Sequence, residues 1–307
     1  MSGSLADLLR HPAAMAGHVL DVRPARDFAA GHLDVAASRP LDPGLASASA
    51  ADLSAQLGGL LPSIHLPARH EPLAVVAGSA ALAVAVAADL TARGRSPVAW
   101  CALEPDGRDA AAVAVLRDAG RWLAGPSGRV LWRPPDFLAR WAHLLPPPAA
   151  GPVLDLACGS GRAAVWLARR GWRVTGIDHQ PEALALAREL AADRGVAVDL
   201  RHGDLRRRDA LPAGPWAAVL MFRFLHRPLM TWLPDVLQDG AVVMLRTFRD
   251  APGYVGNPQP RHRLQPLEAA RLLPAASREI LVLEEGFDAD GKPAAGVVAR
   301  WRPSAAG

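Results

Sequence analysis

VLDLACGSGRAAVWLARRGWRVTGID, residues 153–178, is a β-type run, a glycine turn, a helix-type run and a second β-type run. Such a string is a βαβ unit and argues for an α/β fold with a parallel sheet. Two acids hold set places in it: Asp155 closes the first strand and Asp178 closes the second. Gly159 and Gly161 let the backbone turn sharply and approach a ligand that a side chain would hold off, at the carboxyl edge of the sheet. Seventeen positions separate Gly161 from Asp178. That spacing suits a carboxylate accepting both hydroxyls of a ribose.

Working outward, a second series of β-type runs continues through VDLRHGD (198–204), AAVLMF (217–222) and AVVMLRTF (241–248). It closes with EILVLEE (279–285) and GVVARWR (296–302), joined through Asp290-Gly291, a hairpin signal. Upstream, Pro134-Pro135 and Pro146-Pro147-Pro148 flank an amphipathic stretch, DFLARWAHLL (136–145). Residues 126–150 are therefore expected to be a Pro-rich linker with a lead-in helix, between one domain at 1–125 and another at 151–307. The first block alternates in the same α/β manner: HVLDV (18–22), ARDFAAGH, LAVVA (73–77), ALAVAVAADLTARG (81–94), PVAWC (97–101) and AAAVAVLRDAGRWLAG (110–125).

Composition narrows the function classes. A length of 307 residues with 50% hydrophobic content excludes a disordered or fibrous chain and suits about two domains. Thirty-four Lys and Arg against 30 Asp and Glu leave a net charge of +4, with no basic tail or stripe, so nucleic-acid binding gains no support. Arg206-Arg207-Arg208 reads as a solvated loop, too short and without the aromatic partners of a nucleic-acid groove. Cys101 and Cys158, the only cysteines, are too few for a disulfide framework or a zinc site, and no metal is expected. Both read as packing residues, Cys158 because small residues are needed at the glycine turn. The uncharged stretch 73–88 approaches membrane-spanning length, but Gly78-Ser79 divides it into a strand and an alanine-rich helix. His11, Asp21 and Arg23 interrupt any signal-peptide core, so a cytoplasmic protein without a membrane partner is expected.

Two cofactors fit the βαβ unit. Read as GxGxxA (159–164), the loop suits a dinucleotide pyrophosphate on a helix N-terminus. Read as DxAxGxG (155–161), it suits S-adenosylmethionine, because an acid in the first strand opposes a phosphate but welcomes an amino group and a sulfonium. These residues resemble the class I S-adenosylmethionine-dependent methyltransferases. DLACGSGR is similar to the first motif of that family, with Ala157 replacing its first glycine; GIDHQPEAL carries Asp178 where the family binds ribose, with His179 and Gln180 beside it. The resemblance implies that Asp204 in RHGDL meets the adenine amino group with Leu205 against the ring, and that Met221 and Phe222 end the fourth strand near the cofactor. It further implies a Rossmann-like, seven-stranded, doubly wound domain with an antiparallel C-terminal hairpin. FRFLHRPLMTWLPDVLQDGAVVMLRTF (222–248) with GNPQPRHRLQPLEAARLL (256–273) resembles the tellurite-resistance type within that superfamily. A small acceptor is implied, a soft sulfur, selenium or tellurium compound or an anion. Methyl transfer is an in-line displacement that asks the protein for alignment and exclusion of water. Arg223, His226 and Arg227, just past the fourth strand, are the candidates to face the acceptor.

LDVRPARDFAAGHLDVAASRPL (20–41) resembles the opening of a rhodanese domain, with Asp21, Arg23, Phe28, Gly31 and His32 in the family's order. The strand that should deliver the sulfur-carrying cysteine ends instead at Ala77. A degenerate rhodanese-like module is expected, without sulfurtransferase activity, serving as a scaffold, an anion site or a docking point for a protein partner. Two other functions stay open at this stage: an S-adenosylmethionine-binding sensor without turnover, and a nicotinamide reductase.

Overall fold

The computed structural model describes residues 3–11, 14, 16–47, 50–95, 98–103 and 109–302. The chain divides into two compact units, Met1–Arg133 and Pro134–Gly307.

In the first unit the strands are β1 (Val19–Asp21), β2 (His32–Leu33), β3 (Ala36–Ser38), β4 (Leu73–Ala77), β5 (Val98–Ala102) and β6 (Trp122–Leu123). Its helices are α1 (Leu5–Arg10), α2 (Ala25–Ala30), α3 (Ala50–Leu60), α4 (Ala80–Ala92) and α5 (Ala110–Asp118). A four-stranded parallel sheet runs in the order β3-β1-β4-β5. All five residues of β4 are buried, and α4 follows at once with Ser79 as its N-cap, accepting from the Leu82 N–H at 3.3 Å. The uncharged stretch is thus a strand and a helix, and among the described residues no helix is long and apolar enough to cross a membrane. The stretch 110–125 holds two elements: α5 stops at Asp118, Gly120 takes φ +67°, and Trp122–Leu123 pairs antiparallel with β2. Pro97, read as opening a strand, lies outside the described residues.

The second unit holds β7 (Val153–Leu156), β8 (Val174–Asp178), β9 (Asp199–His202), β10 (Trp216–Phe222), β11 (Leu237–Phe248), β12 (Arg278–Phe287) and β13 (Pro293–Trp301). Its helices are α6 (Asp136–Trp141), α7 (Arg162–Ala168), α8 (Pro181–Asp193) and α9 (Arg227–Trp232). One sheet runs β12-β13-β11-β10-β7-β8-β9, parallel from β11 to β9, with β13 antiparallel to both β11 and β12. The strand order reverses between β7 and β10, which makes the carboxyl end of β7 the crevice where an open α/β sheet binds ligands. Alternation along the strands fills both faces. Val153, Ala218, Val242 and Val298 pack with α6 and α7 on one face; Leu154, Val219, Val243 and Val297 pack with α9 on the other. At β13 a side chain on Gly296 would stand 2.8 Å from the Phe137 ring, so only glycine lets α6 settle there.

The stretch read as a linker is taken up by the two cores. Leu131 packs into the first unit, while Phe137, Leu138 and Leu145 are buried in the second, and the division falls at Arg133/Pro134. Apolar side chains on either side of the prolines explain this, because each gains more from a core than from a solvated spacer.

Candidate cofactor site

After β7 the backbone turns through Ala157 (φ +57°), Gly159 (φ +52°) and Gly161 (φ +73°), and α7 begins. The two glycines serve different ends. A Cβ on Gly159 would meet nothing within 4 Å, which leaves an open cradle on the crevice side. A Cβ on Gly161 would stand 2.8 Å from the Cβ of Ala187 on α8, so this glycine lets the two helices pack. Ala157 adopts the left-handed conformation without being glycine, a local strain of about 1 kcal/mol.

Asp178 ends β8 with its side chain buried against this turn. The Gly159 N–H donates to its Oδ2 at 2.8 Å and the Gln180 N–H to its Oδ1 at 2.9 Å. A carboxylate has about four acceptor directions, so two remain for ribose hydroxyls. His179 lies next to it, its Nδ1 3.5 Å from Asp178 Oδ1, and its carbonyl accepts from His202 Nε2 at 3.1 Å. Asp204 follows β9 in the adjoining turn, and the Arg206 guanidinium clasps it, donating from Nε to Oδ1 at 2.9 Å and from Nη2 to Oδ2 at 2.8 Å. Those bonds pull the Asp204 carboxyl down to about 2. Asp155, Ala157, Gly159, Gly161, Asp178, His179 and Asp204 thus all lie in or beside the turns that close the carboxyl ends of β7, β8 and β9.

Asp155 lies beneath the turn. Strand alternation sets it on the face of Val153, under α7, where it is 2% exposed and near the Ala164 N–H. Its Oδ2 has no hydrogen-bond partner, and burial pushes its carboxyl up to about 7, with the Asp178 charge adding to the rise and the Ala164 N–H opposing it. Leu205 and Met221 are likewise core residues beneath the site, 4% and 0% exposed. Burial, together with the Asp155 and Asp178 charges, raises the Cys158 thiol beyond the range of nucleophiles, and its sulfur packs against Gly176.

The acceptor-side candidates are engaged. Arg223 (φ +56°) reaches Asp290 at 3.0 Å and Asp288 at 3.6 Å, tying the β12–β13 hairpin to the end of β10. Arg227 pairs with Glu268 through Nε at 2.5 Å and Nη2 at 2.9 Å, and donates to the carbonyls of Arg261 and Arg263. His226 is the N-cap residue of α9, its ring 5.8 Å from that of Trp232. Both arginines therefore brace the loops around the end of β10, and their partners, 41 and 67 residues away in the chain, were not visible in any local motif. Arg263 was also missed. It is 2% exposed, and its guanidinium donates to Asp250 at 3.0 Å and to the carbonyls of Tyr254 and Pro258 at 3.0 and 2.7 Å, holding the loop after β11 in shape.

In the first unit, Arg23 makes a bidentate pair with Asp21 and donates to the Gly31 carbonyl, and His32 stacks on Phe28 at 3.9 Å. All three polar residues are buried and bonded. Ala77 ends β4, and Cys101 on β5 is wholly buried, its thiol pushed up to about 12 chiefly by that burial. Among the described residues no cluster of His, Cys, Asp and Glu is arranged to hold a metal.

Comparison with known proteins bears on the second unit. Residues 153–241 match the family described as a methyltransferase domain. The chain is similar to a ribosomal RNA small subunit methyltransferase C from Alcanivorax borkumensis, 33% identical over 33% of this chain and 34% of the relative. It is also similar to a ubiquinone biosynthesis O-methyltransferase from Xanthomonas axonopodis, 34% identical over 34% of this chain and 46% of the relative. The chain thus spans between a third and a half of the length of these curated relatives. A solved structure of TehB from Haemophilus influenzae is 17% identical, with a TM-score of 0.46, over 54% of this chain and 62% of that one. The match to the methyltransferase-domain family over residues 153–241, together with these methyltransferase relatives, supports S-adenosylmethionine as the cofactor of the second unit.

Proposed function

We propose that the protein is a methyltransferase acting on a small acceptor, a soft sulfur, selenium or tellurium compound or an anion, with a non-catalytic rhodanese-like module at its N-terminal end. The observation that carries the cofactor half of this reading is the buried Asp178 carboxylate, fixed by two backbone N–H groups with two acceptor directions left over. S-adenosylmethionine supplies an electrophilic methyl on a sulfonium when bound. The chain's own part is to hold the ribose at Asp178, to keep the Gly159 cradle open to the cofactor's body, and to receive the adenine amino group at Asp204. A soft anionic acceptor needs no general base, in keeping with a site whose cysteine thiol is protonated. His226, the one acceptor-side candidate without an ion pair, is the residue proposed to face the acceptor, and Arg223 and Arg227 position the loops around it. The rhodanese-like reading of the first unit is supported by its parallel sheet and by the braced Asp21, Arg23 and His32. With Ala77 in the place of the sulfur carrier and Cys101 buried, no sulfurtransfer is expected from it.

A sensor that binds the cofactor without turnover is the second reading, favoured by one observation: both acceptor-side arginines are already paired. Calorimetric titration of the purified chain with S-adenosylmethionine and S-adenosylhomocysteine, with Asp178→Ala as control, tests the cofactor site. Micromolar binding that the variant loses supports the proposal; equal binding by both proteins refutes it. S-adenosylhomocysteine release in the presence of thiols, selenite or tellurite separates enzyme from sensor.

A further inference from the structure

The arginine triplet 206–208 is solvent-exposed, as expected, but its three side chains are spent on different partners. Arg207 pairs with Asp209 and Arg208 with Asp235, while Arg206 alone of the three pairs with a residue of the proposed site. Its hold on Asp204 is complete. Oδ1 accepts from the Arg206 backbone N–H at 3.0 Å and from its Nε at 2.9 Å, and Oδ2 accepts from Nη2 at 2.8 Å and from the same Nε at 3.1 Å, so all four acceptor directions are taken. The guanidinium therefore lies edge-on across both oxygens, the geometry in which it neutralises a carboxylate best. Asp204 itself stands in the turn after β9, beside Asp178 and His179; the Gly203 N–H donates to the Asp178 carbonyl at 3.0 Å.

We infer that Arg206 is a self-clasp on the adenine-recognising carboxylate, which the cofactor must displace, so that this residue sets cofactor affinity and couples it to ionic strength. The inference rests on the proposed role of Asp204. An adenine amino group offers one neutral donor, whereas the clasp offers three, two of them charged. Exchanging the second for the first is unfavourable, and the exposure of the pair, 69% for the Arg206 side chain, keeps the difference modest. Arg206 is thus a positioning residue that holds affinity below what the site would otherwise reach. Because the pair is solvent-exposed, salt screens it and eases the exchange.

The test is calorimetric titration with S-adenosylhomocysteine, which lacks the sulfonium charge, so that salt acts chiefly through the clasp. Arg206→Ala is expected to tighten binding about two- to fivefold, the range an exposed ion pair commands. Arg206→Lys, unable to bridge both oxygens, should fall between, and Arg207→Ala should match the parent chain. Raising NaCl from roughly 50 to 500 mM should tighten binding by the parent and leave Arg206→Ala unchanged. In an Asp204→Ala background, removal of Arg206 should have no effect. Equal or weaker binding by Arg206→Ala, or tightening that persists without Asp204, overturns the clasp. If the parent chain binds no S-adenosylhomocysteine, the cofactor reading fails, a result distinct from binding that is indifferent to Arg206.

Discussion

Replacing Asp155 by Asn probes the turn from beneath. The carboxyl rises from an ordinary 3.8 to about 7 in the folded chain because burial penalises its charge. The folded state therefore binds more protons than the unfolded state between about pH 4 and pH 7, and stability falls as pH climbs through that window. At pH 8, with the carboxylate charged in both states, the full penalty applies: a shift of this size corresponds to about 4 kcal/mol, and the side chain, 2% exposed, is too deep for solvent to screen it. Asparagine has the same shape and no charge at any pH. Its amide leaves one polar atom unpaired where Oδ2 is unpaired now, so the two proteins should match within about 1 kcal/mol near pH 4.5. The variant should then become the more stable, by about 2–4 kcal/mol at pH 8. Urea-dependent hydrogen exchange of β7 and α7 peptides in the cofactor-free full chain measures this locally, so unfolding of the first unit does not enter. A variant that is destabilised equally at both pH values refutes the reasoning, since it would mean that the carboxylate is charged and well bonded in the fold.

Gly161→Ala should cost about 2–4 kcal/mol, because it adds left-handed strain at φ +73° to a contact 2.8 Å from Ala187 that neither helix backbone can relieve; thermal unfolding with and without S-adenosylhomocysteine would show a fall in stability that the ligand does not restore. Neither thiol should react with iodoacetamide in the native chain at pH 8, since burial raises both; mass spectrometry should find both cysteines alkylated only after unfolding, and fast labelling of Cys158 would reinstate it as a candidate nucleophile.

What the sequence made legible follows from how local each feature is. The β7, turn, α7 and β8 unit was readable because its signals, two acids and two glycines at strand ends, lie within 26 consecutive residues. The same locality separated β4 from α4 at Gly78-Ser79. Two placements were open to local reading. Period-two alternation already puts Asp155 on the face of Val153, under a helix, and Leu205 turns into the core beside the half-exposed Asp204. The short strand at Trp122–Leu123 was beyond such reading, because two residues carry no period and their partner is His32–Leu33.

The acceptor side was illegible for a deeper reason. An arginine past the fourth strand of such a sheet is an equally good candidate for binding an anion or for closing a loop, and its own neighbours in sequence do not distinguish the two. The distinction lies in whether an acid arrives from elsewhere in the fold. Glu268 reaches Arg227 from 41 positions away and Asp290 reaches Arg223 from 67. Each pair fixes a segment against the end of β10: the loop held by Arg263 on one side, the β12–β13 hairpin on the other. The charges that looked free to meet a substrate instead build walls around the end of β10. On the proposed function, an acceptor there is selected by the shape of those walls and by His226 more than by a ready-made cation, so the proposal predicts a small, polarisable acceptor over one that depends on a strong ion pair.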